Sequence, residues 1–424
     1  MNTNNAAILV PMRGFLETLL EHRDLTEKQP VEVLRGLTNA DTPPALAGAI
    51  LAALRAKGVV AAELRGFAVA MRALARRPAI AADVDAVDIV GTGGDVSGSF
   101  NLSTGAALLT AACGLGVIKH GNRSVSSRSG SADVLEQLGL RLPLDESAAG
   151  RCFAQTQFTF LFAPHYHPAM KAVAPVRQAL GVRTAFNILG PLTNPAQPPF
   201  HVLGAYVLAT ARLMAEMLAG LPIRRSFVIH GAAGWDEPTP IGPFVLLDVR
   251  SGTVQETTRT PEDYGLARCT SESLAGGDAA YNAAALRAAL TGVDRGPHRD
   301  ALLLGAALAL EVAGQVAGPA EGMDRAARAI DSGAANRLLR AGRLRRAVAA
   351  DDRRRSILQV SAAGAAVYRG VAPLALEFER SLLDTLTDGE RAALDRLLGV
   401  LTQRAEILSV DLRVPKQSGR GPKA

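Results

Sequence analysis

From near Val87 onward, this 424-residue chain alternates regularly between strand-like and helix-like segments. Short apolar runs are each followed by a helix-like stretch, and several of these stretches end at a glycine: VDIV, GVIK, FTFLFA, HVLGAYV and SFVIHG. Strands joined by helical crossovers pair in parallel, with helices on the faces of the sheet. The pattern predicts an α/β domain with a mostly parallel central sheet and an antiparallel hairpin at FVLLDVRSGTVQETT.

A purely helical segment precedes this alternation. Apolar residues recur at helical spacing from residue 13 to about residue 77, with Phe15, Leu34 and Ile50 among them. We expect a small N-terminal helical domain at 1–80, a larger α/β domain at 81–340 and a mainly helical C-terminal extension at 341–424. Helices around residues 165–182 are expected to pack with the N-terminal domain.

Composition and charge exclude several classes of protein. The three cysteines are scattered without a CxxC pair, so neither a disulfide framework nor a structural zinc site is indicated. The longest apolar run, residues 105–118, is too short and too broken by glycine to cross a bilayer, and no signal peptide is recognisable. We therefore expect a cytoplasmic protein without membrane contact. The net charge of +6 reflects basic stretches near the C-terminus and says little about the rest.

The first candidate binding loop is GTGGD, residues 91–95, which leads to NLST at a helix start. Glycines at a strand end are often only a tight turn, and Ser103 and Thr104 could simply cap the helix. Neither GxGxxG nor GxxxxGK[ST] is matched, which disfavours dinucleotide and P-loop sites. Bare N–H groups and hydroxyls at a strand-to-helix turn are typical of phosphate binding.

The second candidate loop, KHGNRSVSS at residues 119–127, places Lys119, His120 and Arg123 at the end of an apolar strand. Ligands bind at this edge of parallel sheets. A solvated basic loop is the alternative, and a single histidine such as His120 is more often a structural residue. Cations and hydroxyls together favour a second phosphate-binding loop.

Two adjacent carboxylates, Asp236 and Glu237, follow the strand SFVIHG and a short glycine loop. Alone they would indicate an exposed acidic turn. Carboxylate oxygens, completed by substrate phosphate, are ligands that Mg²⁺ prefers. Together with two phosphate-type loops, the pair favours a magnesium site.

Three collinear segments carry a family resemblance: DIVGTGGD…NLST…KHGNRSVSSRSGSADVLEQLG, HPAMKAVAPVRQALGVRTAFNILGPLTNPA and HG…DE. From about residue 14 to about residue 339 the chain resembles the anthranilate phosphoribosyltransferases, which join anthranilate to 5-phosphoribosyl-1-diphosphate (PRPP) in tryptophan biosynthesis. The resemblance implies an α/β fold of the nucleoside phosphorylase/phosphoribosyltransferase type, a homodimer and Mg²⁺.

The resemblance also implies a site, residue by residue. Ser103, Asp236 and Glu237 would hold Mg²⁺. Arg177 would pair with the anthranilate carboxylate, because guanidinium binds carboxylates through two parallel hydrogen bonds. The other implied anthranilate contacts are Gly91, Asn122, His120 and Tyr166. The implied PRPP-binding residues are Gly91, Gly94, Asp95, Ser99, Asn101, Leu102, Ser103, Thr104, Lys119, His120, Gly121, Asn122, Arg123, Ser124, Val125, Ser126, Ser127 and Ser131.

No Ser-His-Asp or Cys-His set is needed for this chemistry, because the acceptor amine is itself the nucleophile. Two other functions remain open. A pyrimidine-nucleoside phosphorylase shares the fold and also cleaves at ribose C1, although KHGNRSVSSRSGSADVLEQLG fits that group poorly. An inactive relative that binds nucleic acid is suggested only by the charge.

Residues 341–424 resemble the back half of a MarR-type transcriptional repressor. The wing would be residues 343–360, with the basic run Arg353–Arg355, and the dimerisation helices would lie at 362–400, the last starting at Thr387 or Asp388. The recognition helix of that family should lie upstream, where the transferase-like region stands. We therefore expect a fusion remnant or a dimer-promoting appendage, and no nucleic-acid partner. A solvated basic loop is the alternative for Arg353–Arg355.

Overall fold

The computed structural model describes residues 3–124, 128–340, 344–348, 356–360, 387, 389–390 and 397. The chain divides into two compact units, Met1–Ala341 and Gly342–Ala424. No helix among the described residues combines the length and the apolar character needed to cross a membrane.

The first unit opens with helices that surround an apolar core. Within the described residues they are α1 (Thr3–Leu20), α2 (Gln29–Leu37), α3 (Pro44–Lys57) and α4 (Ala61–Leu74). Leu34, Ile50 and Phe67 are almost fully buried in this core, because each lies on the inward face of its helix. Val173, much later in the chain, belongs to the same core.

The α/β region follows. Its described strands are β1 (Ala86–Gly91), β2 (Gly116–Gly121), β3 (Phe158–Phe162), β4 (Phe200–Gly204), β5 (Arg225–His230), β6 (Phe244–Arg250) and β7 (Thr253–Arg259). Its described helices are α5 (Leu102–Ala112), α6 (Ser131–Gln137), α7 (Glu146–Thr156), α8 (Ala163–Tyr166), α9 (Met170–Leu180), α10 (Phe186–Leu189), α11 (Leu208–Ala219), α12 (Ala279–Leu290), α13 (Pro297–Val312), α14 (Pro319–Asp331) and α15 (Ala334–Arg340).

The strands form one seven-stranded sheet in the order β3-β2-β1-β4-β5-β6-β7. Strands β1 to β5 are parallel, and β6 and β7 add the antiparallel hairpin. The predicted α/β fold with a helical N-terminal region is confirmed. The chain builds outward from β1 to β2 and β3, then returns to place β4 on the other side of β1. This reversal makes a crevice at the carboxyl ends of β1 and β4, the usual ligand site of such sheets.

Helix α13 packs against α5 and also contacts strands β4 and β5. Every residue from Ala301 to Val312 is buried, as expected for a helix that is apolar on all faces. Gly305 permits close approach to α5, because a Cβ there would lie 2.7 Å from the Ala106 Cβ. Helix α5, which begins at Leu102 next to the first candidate loop, is thereby packed closely against α13.

The second unit contains an antiparallel pair, β8 (Leu344–Val348) and β9 (Ser356–Val360). Thr387 and Glu390 exchange hydrogen bonds in a capping box: the Glu390 carboxylate accepts from the Thr387 N–H, and the Glu390 N–H donates to the Thr387 hydroxyl. Apart from residues 387, 389–390 and 397, the predicted helical segment 362–400 lies outside the described residues, as does the run Arg353–Arg355.

Candidate active site

The candidate residues converge at the carboxyl edge of the parallel sheet. The GTGGD loop leaves β1, the KHGN loop leaves β2, and the loop with Asp236 and Glu237 leaves β5. Because β1 lies between β2 and β4, and β5 adjoins β4, the three loops meet around the crevice between β1 and β4.

The GTGGD loop is held open by two glycines in the left-handed region, Gly93 (φ 68°) and Gly94 (φ 77°). L-residues with a side chain rarely adopt this conformation. The Gly93 N–H donates to Asp236 Oδ2 at 2.6 Å, and the Thr92 N–H donates to the Gly204 carbonyl at 2.9 Å. The loop is therefore fixed to the ends of β4 and β5.

The segment after this loop is positioned by side chains from distant elements. Ser99 pairs with Ala275 in an isolated bridge, and the Ser97 hydroxyl donates to the Ser99 hydroxyl at 3.2 Å. Asn101 donates to the Ser129 carbonyl at 3.2 Å and accepts from Asn282 at 2.9 Å. Asn101 thus connects the segment after the first loop to the segment after the second.

Helix α5 begins beside the acidic pair. The Ser103 N–H donates to Glu237 Oε1 at 2.9 Å, which places a helix N-terminus on that carboxylate. Leu102 is buried in the core, and Thr104 is buried with its hydroxyl unpartnered among the described residues.

The carboxylates of Asp236 and Glu237 lie in an unfavourable environment. Burial and the nearby charge of Asp95 raise the pKa of Asp236 to about 7. Burial, the charge of Asp236 and the charge of Asp95 raise the pKa of Glu237 to about 8. Hydrogen bonds from Gly93 and Ser103 oppose these shifts without cancelling them. A bound cation would favour the ionised form of both carboxylates.

Lys119 is the buried cation of the site, with 1% of its surface exposed. Its ammonium donates to the Ile89 carbonyl and to the Ser103 hydroxyl, the latter at 3.3 Å. Burial lowers the pKa of Lys119, and the charges of Asp88, Glu237 and Asp236 oppose that shift. Asp88 is in turn fixed by Asn194, whose amide donates to it at 2.8 Å.

Two imidazoles face each other at the edge of the site. The rings of His120 and His167 meet edge to face with centroids 5.0 Å apart. Burial lowers the pKa of His120 to about 3 and that of His167 to about 4, so both are neutral at pH 7. The Nε2 atoms of both rings are buried and have no hydrogen-bond partner among the described residues.

The structure places Tyr166 away from this pair. Its side chain is fully buried with Ala86 and Phe153, and its hydroxyl donates to the Leu144 carbonyl at 3.1 Å. The residue that faces His120 is His167, the next one in the chain. The segment HYHP contained the signal, but the sequence did not show which aromatic side chain points inward.

The second loop is only partly brought to the site. Arg123 directs its guanidinium to Asp133 and Glu136 of α6, with all three hydrogen bonds at 2.7–2.8 Å. Ser131 is the first residue of α6. Gly121 ends β2, Asn122 is exposed, and Ser124 donates its N–H to Asp133 at 3.3 Å. Val125, Ser126 and Ser127 lie outside the described residues.

Arg177 lies in the last turn of α9, half-buried. Its Nη2 donates to Asn187 Oδ1 at 3.5 Å, and its guanidinium carbon lies 5.6 Å from the Phe186 ring centroid. Burial lowers its pKa. Among the described residues no carboxylate pairs with it, so its charge is available to an anionic ligand.

Comparison with known proteins agrees with this geometry. Family models for the glycosyl transferase family match the chain over residues 13–75 (helical bundle domain) and 83–336 (a/b domain). Anthranilate phosphoribosyltransferase from Methylobacterium nodulans is 47% identical over 315 residues, covering 74% of this chain and 93% of that protein.

The chain belongs to the anthranilate phosphoribosyltransferase family.

Solved structures of family members have the same fold. The crystal structure of the Thermus thermophilus anthranilate phosphoribosyltransferase matches with a TM-score of 0.72 at 42% identity, covering 77% of this chain and 97% of that one. The Saccharomyces cerevisiae anthranilate phosphoribosyltransferase in complex with PRPP and Mg matches with a TM-score of 0.71 at 27% identity, covering 78% of this chain and 96% of that one.

As an anthranilate phosphoribosyltransferase, the protein transfers a phosphoribosyl group to the amine of anthranilate in tryptophan biosynthesis. Both family-model matches end before residue 341. The resemblance of residues 341–424 to a MarR-type repressor receives no support from these comparisons.

Proposed function

We propose that the crevice between β1 and β4 binds PRPP with Mg²⁺ on one side and anthranilate on the other. The observation that carries this assignment is the convergence of Asp236 and Glu237 with the N–H groups of Gly93 and Ser103. It places two carboxylates for a cation beside a glycine loop and a helix N-terminus, which are typical phosphate-binding elements.

The residues present fit Mg²⁺. Burial, together with the charges of neighbouring carboxylates, raises the pKa of Asp236 and of Glu237, so a bound cation would favour their ionised forms. The described residues contain no cluster of three or more carboxylate, imidazole or thiol groups suited to a metal. Mg²⁺ sites of this kind use one or two carboxylates and complete the shell with water and substrate phosphate. Asp236, Glu237 and the Ser103 hydroxyl would hold the ion, and the yeast relative is in complex with PRPP and Mg.

The donor is held by the two glycine- and hydroxyl-rich loops. N–H groups of the GTGGD loop and of the start of α5 would bind the diphosphate, together with Lys119. The residues proposed to line this pocket are Gly91, Gly94, Asp95, Ser99, Asn101, Leu102, Ser103, Thr104, Lys119, His120, Gly121, Asn122, Ser124, Val125, Ser126, Ser127 and Ser131. Arg123 is proposed to fix the loop to α6 through its carboxylates.

The acceptor is held by Asn122 and Arg177, with the imidazoles of His120 and His167 beside its ring. Arg177 lacks a carboxylate partner within the described residues, and the anthranilate carboxylate would supply one. Neutral imidazoles can contact an aromatic ring without burying a charge, and their free Nε2 atoms offer polar contacts. His167, and not Tyr166, is therefore assigned to the acceptor side of the site.

The reaction requires no nucleophilic side chain. The lone pair of the anthranilate amine forms the new bond to ribose C1 while the C1–O bond to diphosphate breaks, and the amine then loses a proton. Bound Mg²⁺ supplies charge stabilisation for the departing diphosphate. Lys119 and the loop N–H groups stabilise the same negative charge, and alignment of the amine with C1 supplies the rest through proximity.

A fluorescence assay tests this function. We expect anthranilate fluorescence to fall when protein, PRPP and Mg²⁺ are combined, and EDTA to stop the change. Phosphorolysis of thymidine or uridine without any consumption of anthranilate would favour the phosphorylase alternative.

We further propose that the enzyme is a cytoplasmic homodimer with domain limits at 1–80, 81–340 and 341–424. On the N-terminal helices, Val10 is 68% exposed, Leu20 57% and Val69 48%, and a subunit contact would cover such residues. Sedimentation equilibrium tests the dimer.

Residues 341–424 are proposed to be a fusion remnant or a dimer-promoting appendage. The β8–β9 hairpin falls within residues 343–360, the span compared with a repressor wing. A DNA duplex shifted at physiological salt by the full chain, and not by residues 1–340, would instead favour a working nucleic-acid-binding unit.

A further inference from the structure

Arg183 lies at a junction of three segments. Its Nη2 donates to the Gly94 carbonyl of the GTGGD loop at 3.0 Å, and its Nη1 donates to the Tyr206 hydroxyl just after β4. Its own carbonyl accepts from Arg55 of α3 at 3.2 Å. One side chain thus joins the phosphate-type loop to the adjoining strand, and its backbone is tied to the N-terminal helices.

The contact with the loop is close and specific. The guanidinium carbon of Arg183 lies over the Tyr206 ring, 4.7 Å from its centroid, in a cation–π contact. A Cβ at Gly94 would lie 1.7 Å from Arg183 Nη2, so only glycine leaves room for this guanidinium. Within the described residues Arg183 has no carboxylate partner, and both of its acceptors are neutral. Because these hydrogen bonds neutralise no opposite charge, their effect is to hold the Gly94 carbonyl and the Tyr206 hydroxyl in fixed positions.

A short path leads from Arg183 to the acceptor arginine. The next residue, Thr184, donates its N–H to Asn187 Oδ1 at 3.0 Å. The same oxygen accepts from Arg177 at 3.5 Å. In the other direction along the chain, the Gly181 N–H caps α9 at the Arg177 carbonyl. Asn187 and Arg183 together connect the Gly94 carbonyl to Arg177 through consecutive contacts.

We propose that Arg183 is a positioning residue that couples the donor half of the site to the acceptor half, an inference that rests on the proposed function. Donor phosphate bound at the GTGGD loop would hold the Gly94 carbonyl in place, and with it the Arg183 guanidinium that donates to it. Arg183 binds the GTGGD loop and is followed in the chain by Thr184, which shares Asn187 with Arg177. Fixing the loop on the donor side therefore also restricts the position of Arg177 on the acceptor side. The second substrate then loses less conformational entropy on binding, which makes binding cooperative.

The test measures cooperativity directly. Anthranilate is titrated by fluorescence against the full chain, first alone and then with saturating Mg²⁺ and inorganic diphosphate, which stands in for the donor's leaving group. The ratio of the two dissociation constants is the coupling factor. For the wild type we expect diphosphate to tighten anthranilate binding about fivefold or more, the range typical of coupled sites.

Arg183→Gln should bring the coupling factor to about one, since it removes the charge and the forked donors. Arg183→Lys should do nearly the same, because one ammonium cannot span both acceptors in that fixed geometry. Tyr206→Phe keeps the stacked ring and loses the hydroxyl, so an intermediate factor is expected. Arg212→Gln, which breaks an exposed pair with Glu256 on another face, is the matched control and should keep the wild-type factor.

Two results would overturn the inference alone: wild-type binding of both ligands without coupling, or the wild-type factor in the folded Arg183→Gln or Arg183→Lys protein. If Arg183→Gln does not fold, the Tyr206→Phe and Arg183→Lys proteins decide. Failure of the wild type to bind anthranilate or Mg²⁺-diphosphate at all would overturn the proposed function as well.

Discussion

The Asp236 carboxylate accepts a hydrogen bond at 2.6 Å from the backbone N–H of Gly93, 143 residues earlier in the chain. This contact joins the loop after β1 to the loop after β5, across the end of β4. It gives a phosphate-type loop and a carboxylate pair a common position, on which the following predictions depend.

Asp236→Asn should inactivate the enzyme while stabilising the metal-free protein. We expect turnover to fall about 100-fold or more, the cost typical of losing one electrostatic contact in a reaction that develops charge. Burial raises the pKa of Asp236 from 3.8 to about 7, so its ionisation removes stability as pH rises through that range. At pH 8 in EDTA the variant should therefore melt at a higher temperature than the wild type.

Magnesium titration of activity is the accompanying control. A variant that keeps the wild-type dependence on Mg²⁺ would contradict the assignment of Asp236 as a metal ligand.

Gly91→Ala should damage the site by steric pressure. A Cβ at Gly91 would lie 2.3 Å from Asp236 Oδ2, so the carboxylate must move. We expect a loss of about 1–3 kcal/mol in the free energy of unfolding, as for other overpacked positions, and a large loss of activity. Urea denaturation and the fluorescence assay measure both effects.

Gly190→Ala is the matched control, because nothing lies within 4 Å of a Cβ there and the backbone is helical. Equal damage in both variants would show that the contact between Gly91 and Asp236 is not the cause.

Arg177→Lys should raise the KM for anthranilate roughly tenfold or more, because a hydrogen bond to a charged group contributes about 1.5–3 kcal/mol. The KM for PRPP should change little. Lys171→Gln, at an exposed position on the same helix, should leave both constants near the wild-type values. An unchanged anthranilate KM in Arg177→Lys would exclude this arginine from carboxylate binding.

His201→Asn should make stability less sensitive to acid. His201 is 2% exposed, and its Nδ1 lies 3.0 Å from the Ser226 hydroxyl. Burial, with the charge of Arg72, lowers the pKa of His201 from 6.5 to about 3. As the pH falls from 6.5 to about 3, the unfolded chain binds a proton at this histidine and the folded protein does not. The free energy of unfolding therefore decreases over this range.

Proton binding at this histidine should lower the free energy of unfolding by about 1.4 kcal/mol for each unit that the pH falls within that range. Urea denaturation at pH 7.5 and at pH 5.0 measures the difference. Parallel losses in the variant and the wild type would show that His201 is not the group responsible.

The sequence was sufficient for the sheet and for the loops that leave it, because both depend on local patterns. Apolar runs marked β1, β2 and β5, and the glycines and carboxylates that follow them were visible as such. The order of strands in the sheet is a long-range property. Only that order brings Gly93 to Asp236, and no local pattern contains it.

Side-chain direction was the second limit. In HYHP the choice between Tyr166 and His167 depends on a four-residue helix whose orientation is set by the packing of Tyr166 against Phe153. Arg123 was expected to reach phosphate, yet two carboxylates of α6 take its donors. Arg183 lies within the family-like segment HPAMKAVAPVRQALGVRTAFNILGPLTNPA, but its contacts are with Tyr206 and Gly94, which are distant in sequence.

Because Asp236 and Glu237 repel each other, the melting temperature of this protein should report which ligands occupy its site. A cation that relieves the repulsion stabilises the folded state in proportion to its affinity, because it binds the folded chain and not the unfolded one. Divalent ions, and then donor analogues in the presence of each ion, can be ranked by melting temperature alone. Such a ranking needs no turnover, so it extends to ligands on which the enzyme cannot act.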